Sequence, residues 1–286
     1  MSLIQISILA GPPYCAILVP VMSRLLLPAF LVSATAFAVP SDAFVNGGFE
    51  TGTGSSPTGW TLHSGTWSSP TNISTTDSYG SDSQIITSNT AKDSNTNNNL
   101  YKVFTGSQSF RLGDANNGAH WASATQTFAS YGDSNLYFAF AAVLEDPNHT
   151  DAEQPRFKLS VKDNTTNTYL YNISVTAKST GGGMIWKQGS GDWKYTDWSV
   201  VDLDTSGILG DSLTVQISAY DCSKGGHGGY AYVDGFSSVM APVANFGVTS
   251  QSVALQSLVP EPSTYGLALG GLALVGTIIR RRRKVA

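Results

Sequence analysis

Short runs with a two-residue hydrophobic period fill the middle of this chain, and that period belongs to extended strands. Arg156-Phe157-Lys158-Leu159-Ser160-Val161 alternates without a break, so Phe157, Leu159 and Val161 share one face and are expected to point inward. Tyr169 to Val175, Trp198 to Leu203, Leu213 to Ala219 and Tyr230 to Val239 have similar character, and Leu136 to Val143 is apolar throughout. Clusters of Gly, Asn, Asp and Ser separate the runs, and Asn164-Thr165-Thr166-Asn167 reads as a hairpin turn. Helical periodicity is confined to the two ends, and no fixed-period repeat is present. The fold class expected is all-β, an antiparallel β-sandwich over residues 39–239. Ser88 to Asn99 reads as a solvated loop, and residues 240–259 as a linker.

The ends have a different character. Arg24 precedes an apolar stretch from Leu25 to Ala36, and Ala36-Phe37-Ala38 offers a small-x-small cleavage site, so residues 1–38 read as a secretory signal peptide. Met22 opens a signal of ordinary length, which makes it a candidate true start; a long signal peptide is the alternative. At the other end, residues 265–279 carry no charge and are followed by Arg280, Arg281, Arg282, Arg283 and Lys284. This run is slightly short of the roughly 20 residues of a spanning helix. Local thinning of the bilayer accommodates such a span. The cations set the orientation, with the C-terminus inside and the bulk of the protein outside. The alternative, a buried core helix, does not suit an all-round apolar segment ending in five solvated charges.

Pro260-Glu261-Pro262, the apolar span and the terminal arginines together resemble the PEP-CTERM sorting signal of Gram-negative bacteria, over residues 260–286. The resemblance implies handling by an exosortase in a host that makes an extracellular polysaccharide. It places the product first at the membrane, through the C-terminal helix, and after processing at the cell surface or in the matrix. The two prolines keep the segment extended, a form suited to a protease cleft.

Without its ends the chain is acidic. Residues 39–260 hold 10 Lys and Arg against 19 Asp and Glu, a net charge of −9. That balance argues against nucleic acid as a partner and is compatible with calcium, which prefers carboxylate and carbonyl oxygens. Cys222 is the one cysteine of this part, so no disulfide forms within it. About 220 residues suffice to bury a core without such staples.

Three segments resemble galactose-binding-like jelly rolls, the architecture of many carbohydrate-binding modules. Val45-Asn46-Gly47-Gly48-Phe49-Glu50-Thr51-Gly52 with Gly59-Trp60 resembles their opening, and Tyr230-Ala231-Tyr232-Val233-Asp234 their closing strand. Leu144 to His149, Gln154 to Phe157, Trp193 to Trp198 and Asp221 to Asp234 are similar to domains of surface and adhesin-like bacterial proteins. The resemblance implies a structural calcium ion joining the opening loop to the last strand, with Glu50 and Asp234 as ligands and carbonyls near Asn46 and Gly47 completing it. The alternative is that the two carboxylates cap turns.

His149 and His227 lie in Asp- and Gly-rich segments and, with Asp146, Asp151 or Asp221, have the side chains of a His/carboxylate transition-metal site. Nothing in the sequence joins them, and structural hydrogen bonding is the plainer reading. A Cys222 nucleophile paired with His227 is disfavoured by the adjacent Asp221, which raises a thiol pKa. The exported body has three Glu (Glu50, Glu145 and Glu153) and no nucleophile elbow, zincin or phosphate-loop motif, so an enzyme is not expected. Glycan binding is the function expected, by stacking on exposed aromatics. Trp186 and Trp193, which flank a turn, are the candidates, although packing is the commoner role of tryptophan. A purely structural or adhesive matrix protein and a polysaccharide-modifying enzyme are the alternatives.

Overall fold

Alternation along the chain becomes two antiparallel sheets packed face to face. The computed structural model describes residues 44–77, 82–179 and 184–240, and the backbone of 254–256. The expected signal helix, the membrane-spanning helix 265–279, the sorting residues Pro260, Glu261, Pro262 and Arg280 to Arg283, and most of the expected linker lie outside the described residues. Among those described, no helix is long and apolar enough to cross a membrane.

The main strands are β1 (Thr61–Ser69), β2 (Asn72–Thr75), β3 (Ser83–Ile86), β4 (Ser109–Asp114), β5 (His120–Phe128) and β6 (Asn135–Glu145). They continue with β7 (Arg156–Asp163), β8 (Thr168–Val175), β9 (Trp193–Tyr195), β10 (Ser199–Asp204), β11 (Leu213–Tyr220) and β12 (Gly229–Ser237). One sheet has the order β8-β7-β11-β5-β1-β2. The other runs β9-β6-β12-β4-β3, with β10 on the far part of β6 and the two-residue strand Lys187–Gln188 outside β9. Within the stretch expected as a linker, Ala254–Gln256 pairs in parallel with β10. The β7–β8 hairpin turns at the expected place. Asp163 pairs with Thr168, Asn167 takes a positive φ of 57°, and the Asp163 carboxylate accepts the N–H groups of Thr165 and Thr166.

Phe157, Leu159 and Val161 are fully buried and face the core, as the period predicts. The sheets meet over aromatic side chains. Phe49 stacks between Trp60 and Phe110 at centroid distances of 5.1 and 5.3 Å, and Phe236 stacks on Phe138 at 5.2 Å.

The unbroken apolar run on β6 has a separate cause: that strand is buried on both faces. Phe138, Phe140, Ala142 and Leu144 face the main core, whereas Ala139, Ala141 and Val143 join a second cluster with Leu100, Phe104, Trp198, Tyr230 and Tyr232. Its cover comes partly from the segment expected as a solvated loop. Most of residues 88–99 are exposed or half-buried, but Asp93 and Thr96 are buried. Asp93 caps a short 3-10 turn by accepting from Asn95 N–H, and its other oxygen accepts the hydroxyls of Tyr230 (2.8 Å) and Tyr232 (2.7 Å). Burial, with the Asp93 charge adding to it, holds both phenols well above their usual pKa. They therefore stay protonated as donors. Asp93→Ala leaves two buried hydroxyls without this acceptor and should lower stability by roughly 3 kcal/mol. Urea unfolding checks this; Tyr232→Phe, which removes one bond, should cost about 1 kcal/mol.

Candidate functional site

The opening loop is shaped by the side chain of Asn46. Its amide donates to Thr51 O (2.7 Å) and Thr58 O (3.1 Å) and accepts from Thr51 N–H (2.9 Å), while Asn46 and Phe49 both take positive φ. Phe49 is thereby driven into the core. Gly47 lies against β12, where its carbonyl accepts Phe236 N–H at 3.0 Å. A Cβ at Gly47 would sit 1.8 Å from Phe236 O, so no other residue fits this approach.

That docking brings Glu50 and Asp234 to one loop, residues 104–108. Glu50 accepts the N–H groups of Ser107 (2.9 Å) and Gln108 (3.1 Å) and the Ser107 hydroxyl. Gly106, at φ +63°, supplies the close approach; a Cβ there would lie 2.1 Å from a Glu50 oxygen. Asp234 is fully buried and accepts the N–H groups of Phe104 (3.1 Å), Thr105 (2.9 Å) and Gly235 (2.7 Å). Burial pushes its pKa well up, the three N–H groups oppose this, and the nearby Glu50 charge raises it further. A carboxylate has about four acceptor sites, so three bonds leave each of these with capacity for a cation. Gly47 O accepts one bond, whereas Asn46 O already accepts from Phe49 N–H and Trp60 Nε1–H. Of the ligands expected for calcium, the two carboxylates and Gly47 O therefore keep more acceptor capacity than Asn46 O.

The outer face of the six-stranded sheet is polar in register. One row across it reads Thr61, Thr125, Gln216, Ser160 and Asn172; the next reads His63, Ser123, Ser218, Lys158 and Ser174. An aromatic platform follows. Trp121 is paired with Tyr220 across the strands and stacks on it at 6.1 Å with an interplanar angle of 19°. The Trp121 indole N–H donates to Ser74 O, Trp67 packs edge-on to Tyr220 at 5.2 Å, and the Lys158 ammonium lies 5.0 Å from the Tyr220 ring centre. Burial, then the neighbouring Arg156, lowers the Lys158 pKa. At the far end, Val45, Gly59, Thr61, Thr125, Gln126 and Thr127 line a shallow pocket. From residue 121 to residue 127 the strand spans about 20 Å.

The tryptophans expected to be exposed do not form such a platform. Trp193 is half-buried against Tyr230 at 5.4 Å, and Trp186 packs on the main core and donates to Ser179 O at 3.0 Å. The reason is that the turn between them folds back onto residues 94–96, where Ser190 N–H bonds Asn95 O. The signal for Trp121 is the alternation of Trp121-Ala122-Ser123-Ala124-Thr125-Gln126-Thr127, which places Trp121 on the polar face.

His149 and His227 do meet, with ring centres 5.1 Å apart. The expected carboxylates are engaged elsewhere: Asp146 with Lys194, Asp151 with Thr176 and Arg156, and Asp221 with the N–H groups of His120 and Gly229. Asp221 instead lies 3.6 Å from the ring of His120, which forms a second group with Asp82 and Asp114, and burial, then the Asp114 charge, pushes its pKa up to about 8.

Residues 258–284 match the family model of the PEP-CTERM protein-sorting motif. No curated protein matches the chain in sequence. Solved structures align with it at low identity. TmCBM61 in complex with β-1,4-galactotriose is 12% identical over 69% of this chain and 97% of that chain, with a TM-score of 0.37. The family 11 carbohydrate-binding module of the cellulase Lic26A-Cel5E of Clostridium thermocellum is 9% identical over 72% and 98%, with a TM-score of 0.30. The K1 cleaved adhesin domain of Lys-gingipain from Porphyromonas gingivalis is 13% identical over 66% and 94%, with a TM-score of 0.31. Values this low do not bear on ligand or activity.

Asp234→Ala takes the acceptor from three N–H groups, two of them buried, and should cost roughly 3 kcal/mol in urea unfolding. Glu50→Ala removes bonds at an exposed position and should cost about 1 kcal/mol.

Proposed function

We propose that this chain is exported, handled by an exosortase through its C-terminal motif, and acts outside the cell as a non-catalytic glycan-binding module. The observation that carries the reading is the outer face of the six-stranded sheet. The row Thr61, Thr125, Gln216, Ser160 and Asn172 presents hydroxyls and amides that match the donors and acceptors of sugar hydroxyls, whereas Ser123 and Ser218 in the next row are buried. Trp121, half-buried and stacked on the buried Tyr220, adds a flat apolar surface for a sugar ring. A glycosidase of the common kind needs two carboxylates flanking one bond. The two rows named above carry none, and Glu145, one of the three Glu of the exported body, accepts Gly228 N–H in a partly buried position. These features favour binding over cleavage. The extended face suits a chain better than a single sugar, which points to the extracellular polysaccharide that such a sorting signal implies as the partner.

The same reading includes one structural calcium ion held by Glu50 and Asp234. Its work would be to neutralise two neighbouring carboxylates and hold the opening loop against β12, stabilising the fold by binding only its native form.

On a glycan array the protein should retain polysaccharide, and Trp121→Ala should weaken retention about tenfold, while Trp193→Ala should leave it unchanged apart from any loss of stability. Absence of any retained glycan would favour a purely structural matrix role. Shortened host polysaccharide after incubation with the protein would favour an enzyme. For calcium, millimolar ion should raise the melting temperature of the protein and chelator should lower it, with the response lost in Glu50→Gln. A melting temperature indifferent to calcium and chelator would remove the ion from this account.

A further inference from the structure

We propose that His149, Cys222 and His227 form a binding site for one transition-metal ion of the zinc class. Their candidate ligand atoms, two imidazole nitrogens and the thiol sulfur, all lie within 4.8 Å of one another, although His149 comes from a different loop from Cys222 and His227. The His149 Nδ1 to Cys222 Sγ distance is 3.1 Å, and the two rings meet at an angle of 82°. With Zn–S near 2.3 Å and Zn–N near 2.0–2.1 Å, a tetrahedral centre holds its ligand atoms roughly 3.3–3.8 Å apart. Small side-chain rotations therefore reach that geometry.

The site is held from behind by backbone contacts. Cys222 N–H bonds His227 O at 2.8 Å, which fixes the Cys–His loop, and Lys224 N–H points at the sulfur at 3.3 Å. On the other side the fully buried Gln154 donates to both Pro147 O and His149 O, locking the His149 loop. A further observation points to a ligand. Nδ1 of His227 is buried without a hydrogen-bond partner among the described residues, which a polar atom in such a place ordinarily has. A sulfur with two imidazoles suits a borderline-soft ion and not calcium, which takes oxygen. Three protein ligands leave a fourth position for water or another donor. The inference does not depend on the glycan-binding face or on the Glu50–Asp234 pair.

The test uses the full chain carrying Cys15→Ser, reduced and stripped of metal, so that Cys222 is the sole thiol. Cobalt(II) serves as the spectroscopic probe. One equivalent should give a sulfur-to-cobalt charge-transfer band and tetrahedral visible bands, and one equivalent of zinc should abolish them. Cys222→Ser should lose the charge-transfer band, and His149→Ala and His227→Ala should each weaken binding about 10–100-fold or more. Should Cys222→Ser fail to fold, the parent supplies a second readout: zinc should slow alkylation of Cys222 under conditions where calcium does not. Lack of a thiolate band, a band that survives in both histidine variants, displacement by calcium, or a response to copper(I) alone would each overturn the assignment.

Discussion

Asp234 carries a completely buried carboxylate at the end of β12, and the backbone around it is arranged to receive that group. Phe104, Thr105 and Gly235 turn their N–H groups toward it, which draws the segment after residue 100 onto the sheet. Two residues on, Phe236 enters the main core and its N–H bonds Gly47 O, so the same strand end seats the opening loop. Phe49 and Trp60 then fill the space between the sheets. A buried carboxylate without donors is strongly unfavourable, so the loops at this end are constrained to form together. Glu50, arriving with the opening loop, finds its donors on the same segment.

A second consequence follows on the other side of β12. Tyr230 and Tyr232 point away from the main core and are covered by the segment that Asp93 anchors. There β6 and β12 are buried on both faces, and Trp198 on the covered side is consumed in packing. On the six-stranded sheet the row from Thr61 to Asn172 stays exposed or half-buried. The His149–Cys222–His227 cluster lies apart from this face, in the loops preceding β7 and β12. One sandwich thus separates a broad polar surface from a compact site of different chemistry.

Much of this was legible in the residues. Arg156 to Val161 declared a half-buried strand, Asn164 to Asn167 a hairpin, and Asn46 to Gly52 with Asp234 two pieces of one end of the fold. The local signals sufficed because alternation and turn chemistry act over a few residues. The surroundings of Trp193 and Asp93 were not legible, for the opposite reason. Whether a tryptophan beside a turn is a platform or a packing group depends on what folds over it. An aspartate in a Ser/Asn/Thr-rich stretch looks solvated until two tyrosines more than 130 residues away are brought to it.

The sequence by itself determined the strand periods, the acidic and cysteine-poor body, and the C-terminal motif that marks the chain for sorting. These are properties of composition and of neighbours along the chain. The tertiary structure alone decided which face of which sheet stays open, and that His149 and His227, 78 positions apart in the sequence, close around Cys222. Such juxtapositions are set by strand order and register, which arise from burying the apolar faces of distant segments against one another. No pattern local to either histidine carries that information.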